Sequence, residues 1–424
     1  MKTRAVRLYG ANDLKLDIFD LPEMKEDEIL VKVISNSICM STYKATSLGK
    51  NHKRVPNDCD VNPIITGHEF AGEIIKVGTK WQKQFKAGNK FGIQPALNYK
   101  GSMDSPGYSF QWYGGNMTYA IIPNEVMEIN CLINYSGEAF FEASLAEPMS
   151  CVIGGFHASY HVKPSSYTHI MDIKNKGALA ILGGCGPMGM GAIDYAVHRD
   201  IKPSVIVVTD ISDDRIKRAS EILTVEEAKS NGVDLYYVNP NNHEDPISYI
   251  KSLNDGKGYD DVFVYVPIKD LVVQGDLLLG KDGCMNFFAG PIDNEFSANI
   301  NMYNIHYAAT KIIGSTGGNT DDMLESLDMT AKGLINPAVM LTHVGGLDSA
   351  AETIQNLPKI PGGKKIIYTN VNMPLTSIDN FESLVDLDSK FQELADICKK
   401  HKNLWSLEAE NFLLENFTLE ENNG

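Results

Sequence analysis

The stretch 178–198, ALAILGGCGPMGMGAIDYAVH, decides the fold. It opens with five apolar residues that do not alternate with polar ones, the pattern of a strand buried on both faces. It ends in a helix-compatible run, and between the two lies Gly184-Cys185-Gly186-Pro187-Met188-Gly189. A lone GxGxxG carries little weight, but one set between a strand and a helix has a mechanical reason. Gly184 allows a tight turn, Gly186 lets the backbone approach a pyrophosphate, and Gly189 lets the helix pack on the strand. Unpaired N–H groups at the helix start then bind phosphate oxygens. The bland alternative is a glycine-rich turn with no ligand.

Working outward, apolar runs recur at 204–210 (SVIVVTD), 234–238 (DLYYV), 261–266 (DVFVYV) and 283–290 (GCMNFFAG). Helix-compatible stretches such as 187–199 and 213–224 separate them. This order predicts a parallel sheet covered on both faces, the doubly wound α/β arrangement. Asp210 ends the next strand, 21 residues after Gly189. An acid there accepts hydrogen bonds from the adenosine ribose and repels a 2′-phosphate. NAD(H) is therefore favoured, while Arg215 and Arg218 nearby leave NADP(H) open.

Residues 1 to about 158 read differently. Short β-like runs (EILVKVI at 28–34, AGEIIKVG at 71–78, MTYAIIP at 117–123) with Gly and Pro punctuation predict an antiparallel, barrel-like unit. From Pro374 to Gly424 the periodicity is helical, and Phe381, Leu384, Phe391, Leu394 and Leu404 predict packing on the body or on a second subunit. The length of 424 residues also calls for more than one core.

A formal charge of −16 argues against nucleic acid as a partner but leaves room for a phosphorylated small molecule in a local basic pocket. No run approaches the roughly 18 apolar residues of a membrane span, and the N-terminus does not read as a signal peptide. The expected location is cytoplasmic. Seven scattered cysteines without a CxxC pair read as free thiols, one of them a candidate metal ligand, and not as a disulfide framework.

Three pieces upstream of the glycine turn carry metal chemistry: Cys39 in SICMSTYK, His68-Glu69 in ITGHEFAGEI, and Glu147 in AEPMSC. Each alone is weak, since a lone Cys is usually a small hydrophobe. A thiolate, an imidazole and a carboxylate together make a tetrahedral zinc set with one position left for water or substrate.

GHEFAGEIIKVG, the Cys39 segment, GGNMTYAIIP, AEPMSC and the strand–turn–helix, in this order, resemble the zinc-containing medium-chain dehydrogenase/reductase superfamily over about residues 1–371. The resemblance implies a GroES-like β-barrel catalytic domain at 1–158, a Rossmann domain at 159–335, a return to the catalytic domain at 336–371, and a C-terminal helical extension at 372–424. It also implies a homo-oligomer. It makes Cys39, His68 and Glu147 the catalytic zinc ligands, Glu69 a carboxylate that can exchange with them, and Ser41 the hydroxyl that passes the substrate proton. Lys44 falls where many members carry a relay histidine. The lobe at 88–115, where many members bind a structural zinc through four cysteines, has none here, so one zinc per chain is expected.

Glu147 in place of a second thiolate follows the polyol and sugar dehydrogenases. GKNHKRVP, GPMGMGAIDYAVH, IIGSTGGN and the ending NLWSLEAENFLLENF are similar to the L-sorbose 1-phosphate reductase group. That resemblance implies reduction of a ketose phosphate to a polyol phosphate, with an unphosphorylated polyol as the alternative substrate. Lys44, Lys53 and Arg54 are the cations available for a phosphate; residues 50–54 as a merely solvated basic turn is the competing reading.

Overall fold

A computed structural model describes residues 1–419. Its contacts divide into two compact units. One comprises Met1–Glu147, Met323–Lys332 and the described residues from Leu341 onward, and the other Pro148–Asp322 with Gly333–Met340.

The second unit holds a six-stranded, all-parallel sheet ordered Asp234–Val238, Val205–Thr209, Ala178–Leu182, Tyr259–Val264, Leu279–Phe287 and Lys311–Gly314. The first strand of this unit's sheet is central, and the winding reverses on either side of it, which opens the crevice where doubly wound folds bind ligands. Leu179 to Leu182 and Ile206 to Val208 are fully buried, as continuous apolar strands in a covered sheet should be. All five predicted strands are present. The sixth, Lys311–Gly314, is a short half-exposed edge without a continuous apolar run, so the sequence pattern does not mark it.

The first unit is built around Ile29–Ile38, which pairs antiparallel with Glu69–Val77, Lys364–Tyr368 and Tyr119–Ile122 in an eight-stranded sheet. Phe70, Phe91 and Tyr113 fill its interior through edge-on ring contacts. The register sets the functional end of this sheet. Ser37 lies opposite Glu69 and Ile38 opposite Lys365, so Cys39, His68 and Lys364, each one residue further along, converge from three segments distant in sequence.

The C-terminal extension packs within this same unit. Phe381, Leu394, Trp405 and Leu413 are buried, while Leu404 is only half-buried and Trp405 takes the anchoring place beside it. Glu410, on the helix Leu407–Phe417, receives the backbone N–H groups of Phe140 (2.6 Å) and Phe141 (2.8 Å) and the Tyr368 hydroxyl (2.7 Å). Its carboxylate thus caps the start of the helix Phe140–Ala158, which carries Glu147. The last five residues of the predicted extension lie outside the described residues. No helix among the described residues is long and apolar enough to cross a membrane.

Candidate active site

Cys39 is the N-cap of the helix Met40–Leu48, directly after the central strand, and His68 immediately precedes the strand Glu69–Val77. Ligand atoms of Cys39, His68 and Glu69 all lie within 4.8 Å of one another. The Ser41 hydroxyl donates to Cys39 Sγ at 3.0 Å and lies 3.3 Å from His68 Nε2, while the Thr42 hydroxyl holds the other ring nitrogen at 3.3 Å. Fixing one imidazole nitrogen orients the other, as metal-ligating histidines require.

Glu147 stands outside that tight trio but acts on it electrostatically. Burial, followed by the neighbouring Glu69 carboxylate, pushes it up to about 8. Burial likewise raises the Cys39 thiol, with Glu69 adding to the effect. Glu69 itself falls below the ordinary carboxylate range: burial opposes ionisation, but Lys364 and His68 more than offset it. Lys364 Nζ reaches both Glu69 oxygens, at 2.6 and 2.7 Å, with both side chains buried. One lysine thus faces two carboxyl groups and a thiol around a single buried point. Three acidic donors and an imidazole with only one cation among them suit a divalent metal, and the donor types are those of zinc.

Lys364 carries no local signal in the sequence, since GGKKIIYTN shows two lysines before an apolar run without saying which turns inward. A buried lysine in a strand is nevertheless a rarity that demands a partner. Lys44 is half-buried on the helix one turn after Ser41, on the same face.

The structure separates two of the basic loop's cations, Lys53 and Arg54. Lys53 is exposed, whereas Arg54 is half-buried and its Nε is a buried donor without a hydrogen-bond partner among the described residues. The Arg54 guanidinium lies 5.4 Å from the ring of Tyr108, which in turn packs on His68 at 5.0 Å between ring centroids. The basic loop therefore adjoins the metal cluster through Tyr108, a residue that nothing in its local sequence distinguishes.

In the second unit, Gly186 is the N-cap and Pro187 the first residue of the helix Pro187–His198, a position where proline loses no hydrogen bond. A side chain on Gly189 would collide with the Gly184 backbone, and one on Gly184 would stand 2.7 Å from Ile181 and Val208, whereas a Cβ on Gly186 would meet only the Gly183 carbonyl oxygen, at 3.9 Å. The left-handed turn residue is Gly183, at φ +68°, one position earlier than the sequence reading placed the tight turn. Asp210 is buried at the end of its strand, and its Oδ1 accepts from Arg215 Nη2 at 2.8 Å and Nε at 3.1 Å. Arg215 is thereby committed to the acid beside it.

Comparison with known proteins agrees with this architecture. Residues 25–130 match the alcohol dehydrogenase GroES-like domain, and residues 187–332 match the zinc-binding dehydrogenase family. The chain is 52% identical over 414 residues to mannitol-1-phosphate 5-dehydrogenase of Aliivibrio fischeri, covering 98% of each. It is 45% identical over 412 residues to L-sorbose 1-phosphate reductase of Klebsiella pneumoniae, covering 97% of each. Among solved structures, 2R,3R-butanediol dehydrogenase from Bacillus subtilis shares the fold at a TM-score of 0.70 and 20% identity, over 87% of this chain and 100% of that one.

Proposed function

The chain belongs to the zinc-binding dehydrogenase family, and on that premise we propose that it interconverts a ketose phosphate and the corresponding polyol phosphate, with Arg54 receiving the phosphate. It is a zinc-dependent, NAD(P)-dependent polyol dehydrogenase. The observation that supports the finer reading is the buried, unpartnered Nε–H of Arg54 beside the metal cluster. A buried donor left without an acceptor is costly, and a phosphate oxygen would meet its need with a charge-assisted bond. The two relatives named for phosphorylated six-carbon substrates, mannitol 1-phosphate and L-sorbose 1-phosphate, supply the substrates to test first.

Cys39, His68 and a carboxylate, Glu147 or Glu69, would hold one zinc ion in this unit. When bound, zinc supplies Lewis acidity at the reacting oxygen and the dinucleotide supplies or accepts the hydride. In the reductive direction Ser41 donates its proton to the oxygen of the former carbonyl. Its present bonds to Cys39 Sγ and His68 place that hydroxyl against the metal donors. Lys44, one helical turn on, connects the proton with solvent. Glu69, clamped by Lys364, stands in reserve as an exchangeable carboxylate. Gly184, Gly186, Pro187, Met188 and Gly189 form the phosphate-binding turn for the cofactor. Asp210 takes the ribose through the oxygen that Arg215 leaves, which favours NAD(H).

The test is a panel of L-sorbose 1-phosphate, mannitol 1-phosphate and their unphosphorylated forms, followed by nicotinamide absorbance. Arg54→Ala should raise KM for the phosphorylated substrate by about 10- to 100-fold, the value of one charge-assisted hydrogen bond, and leave the unphosphorylated form nearly unchanged. Equal effects on both would overturn the assignment.

A further inference from the structure

The lobe at 88–115 contains no cysteine, yet its backbone is held against the metal-bearing strand. Gly107 adopts φ +81°, and a Cβ on it would stand 2.5 Å from the carbonyl oxygen of Gly67, the residue before His68. Backbone therefore rests on backbone at this point. The next two residues both engage the basic loop. Ser109 Oγ donates to the Arg54 carbonyl at 2.8 Å and accepts from the Ser105 N–H at 3.2 Å. Tyr108, 2% exposed, stacks on His52 at 5.4 Å with the rings inclined by 15°. His52 Nδ1 accepts the Arg54 backbone N–H at 3.3 Å, so the same ring supports the loop residue on which Arg54 itself leans. The guanidinium completes the arrangement 5.4 Å from the Tyr108 ring. Arg54 is thus fixed through its carbonyl, its N–H and its guanidinium, while its Nε–H is left unused.

We propose that Tyr108 and Ser109 are positioning residues for substrate selection: they hold Arg54 so that its free Nε–H is presented to the phosphate of a phosphorylated sugar. The proposal rests on the reading that Arg54 meets that phosphate. A guanidinium on an aromatic face loses little rotamer freedom when it binds an anion, which is the physical advantage of the arrangement. The metal-free lobe thereby acquires a task, that of linking the inserted basic loop to His68.

The experiment is steady-state kinetics of the zinc-loaded enzyme with L-sorbose 1-phosphate and L-sorbose, or with the mannitol pair if that turns over faster, and with inorganic phosphate as inhibitor. Tyr108→Leu should raise KM for the phosphate ester and weaken phosphate inhibition by about 3- to 30-fold, the range of a partly desolvated cation–π contact. The KM for the unphosphorylated sugar should hold; kcat is not the readout, since the Tyr108 ring also packs on His68 and its loss lowers turnover of both substrates alike. Tyr108→Phe, which keeps the ring, should retain the selectivity. Ser109→Ala, which is small enough to fold if Tyr108→Leu does not, should show the same selective loss in weaker form. In an Arg54→Ala background neither substitution should add anything. The proposal is overturned if Tyr108→Leu raises KM for both substrates alike, if its effect on KM multiplies onto Arg54→Ala, or if Phe costs as much selectivity as Leu. In those cases a selective Arg54→Ala effect would leave the assignment of the phosphate to Arg54 standing. Loss of selectivity in none of the variants, Arg54→Ala included, would remove both.

Discussion

The dinucleotide turn and the metal cluster meet opposite physical demands. The turn is closed within the seven residues Gly183–Gly189 and works by what is missing: no side chain fits at Gly184 or Gly189, and none is needed at Gly186. The metal cluster is drawn from Cys39, His68, Glu69 and Lys364, and works by crowding charge into a buried volume. A turn of that kind is local and carries no charged side chain. A cluster of that kind depends on strand register and on every charge having its partner. Substitutions around the first should therefore act on one ligand, and those in the second on the whole site.

The largest effect that follows belongs to Cys39. Cys39→Ser should lower turnover by at least about 10²- to 10³-fold, the scale on which loss of one group stabilising developing charge is felt. Binding of NADH, followed by its fluorescence, should persist because the glycine turn is untouched. Retained turnover would break the comparison by taking the thiol out of the chemistry.

Lys364 distinguishes a structural charge from a metal-dependent one. Lys364→Met leaves Glu69 buried without its partner, which costs about 3–5 kcal/mol for a broken buried pair. Zinc should restore much of that loss, since it supplies the missing positive charge. Urea unfolding in chelator and in zinc measures the difference. Equal losses in both conditions would show that Lys364 does nothing for the metal site.

How much of each region is legible in the sequence follows from the same contrast. The strand, the turn and the helix at 178–198 announce themselves because each is specified by neighbours, and only the left-handed residue is displaced, from Gly184 to Gly183. The metal donors are legible as residue types, but the convergence of Cys39 with Lys364 is set by pairing between Ile38 and Lys365, which no local pattern encodes. Tyr108 is hidden for the same reason. The edge strand Lys311–Gly314 is hidden for another, being too short and too exposed to show an apolar run.

Glu410 extends the comparison to a buried charge distant from the metal donors. Burial pushes it from 4.5 up to about 7, although the Tyr368 hydroxyl and two backbone N–H groups favour its anion. A carboxyl that holds its proton more tightly when folded stabilises most at low pH. Stability is therefore lost as pH rises from about 4.5 to about 7, by at most about 3 kcal/mol, and is level above that. Glu410→Gln should flatten this slope in urea midpoints taken at pH 5, 6 and 7.5. An unchanged slope would assign it to other groups.

The smallest effect belongs to the dinucleotide unit, at Asp210. Its carboxylate is buried and already holds Arg215 through one oxygen. The wild type should prefer NADH to NADPH because a 2′-phosphate meets that acid. Replacing Asp210 with Gly removes the repulsion and at the same time frees Arg215 to accept the phosphate, so the preference should move toward NADPH by about tenfold or more, the worth of one charge-assisted hydrogen bond. Zinc content and the selectivity between phosphorylated and unphosphorylated sugars should not change, because the residues proposed for both belong to the other unit. If the Asp210 variant also altered that selectivity, the two regions would not be the separable devices their construction indicates. If the wild type already favoured NADPH, Arg215 would have to leave Asp210 when the cofactor binds, and Arg215→Ala would then abolish that NADPH preference.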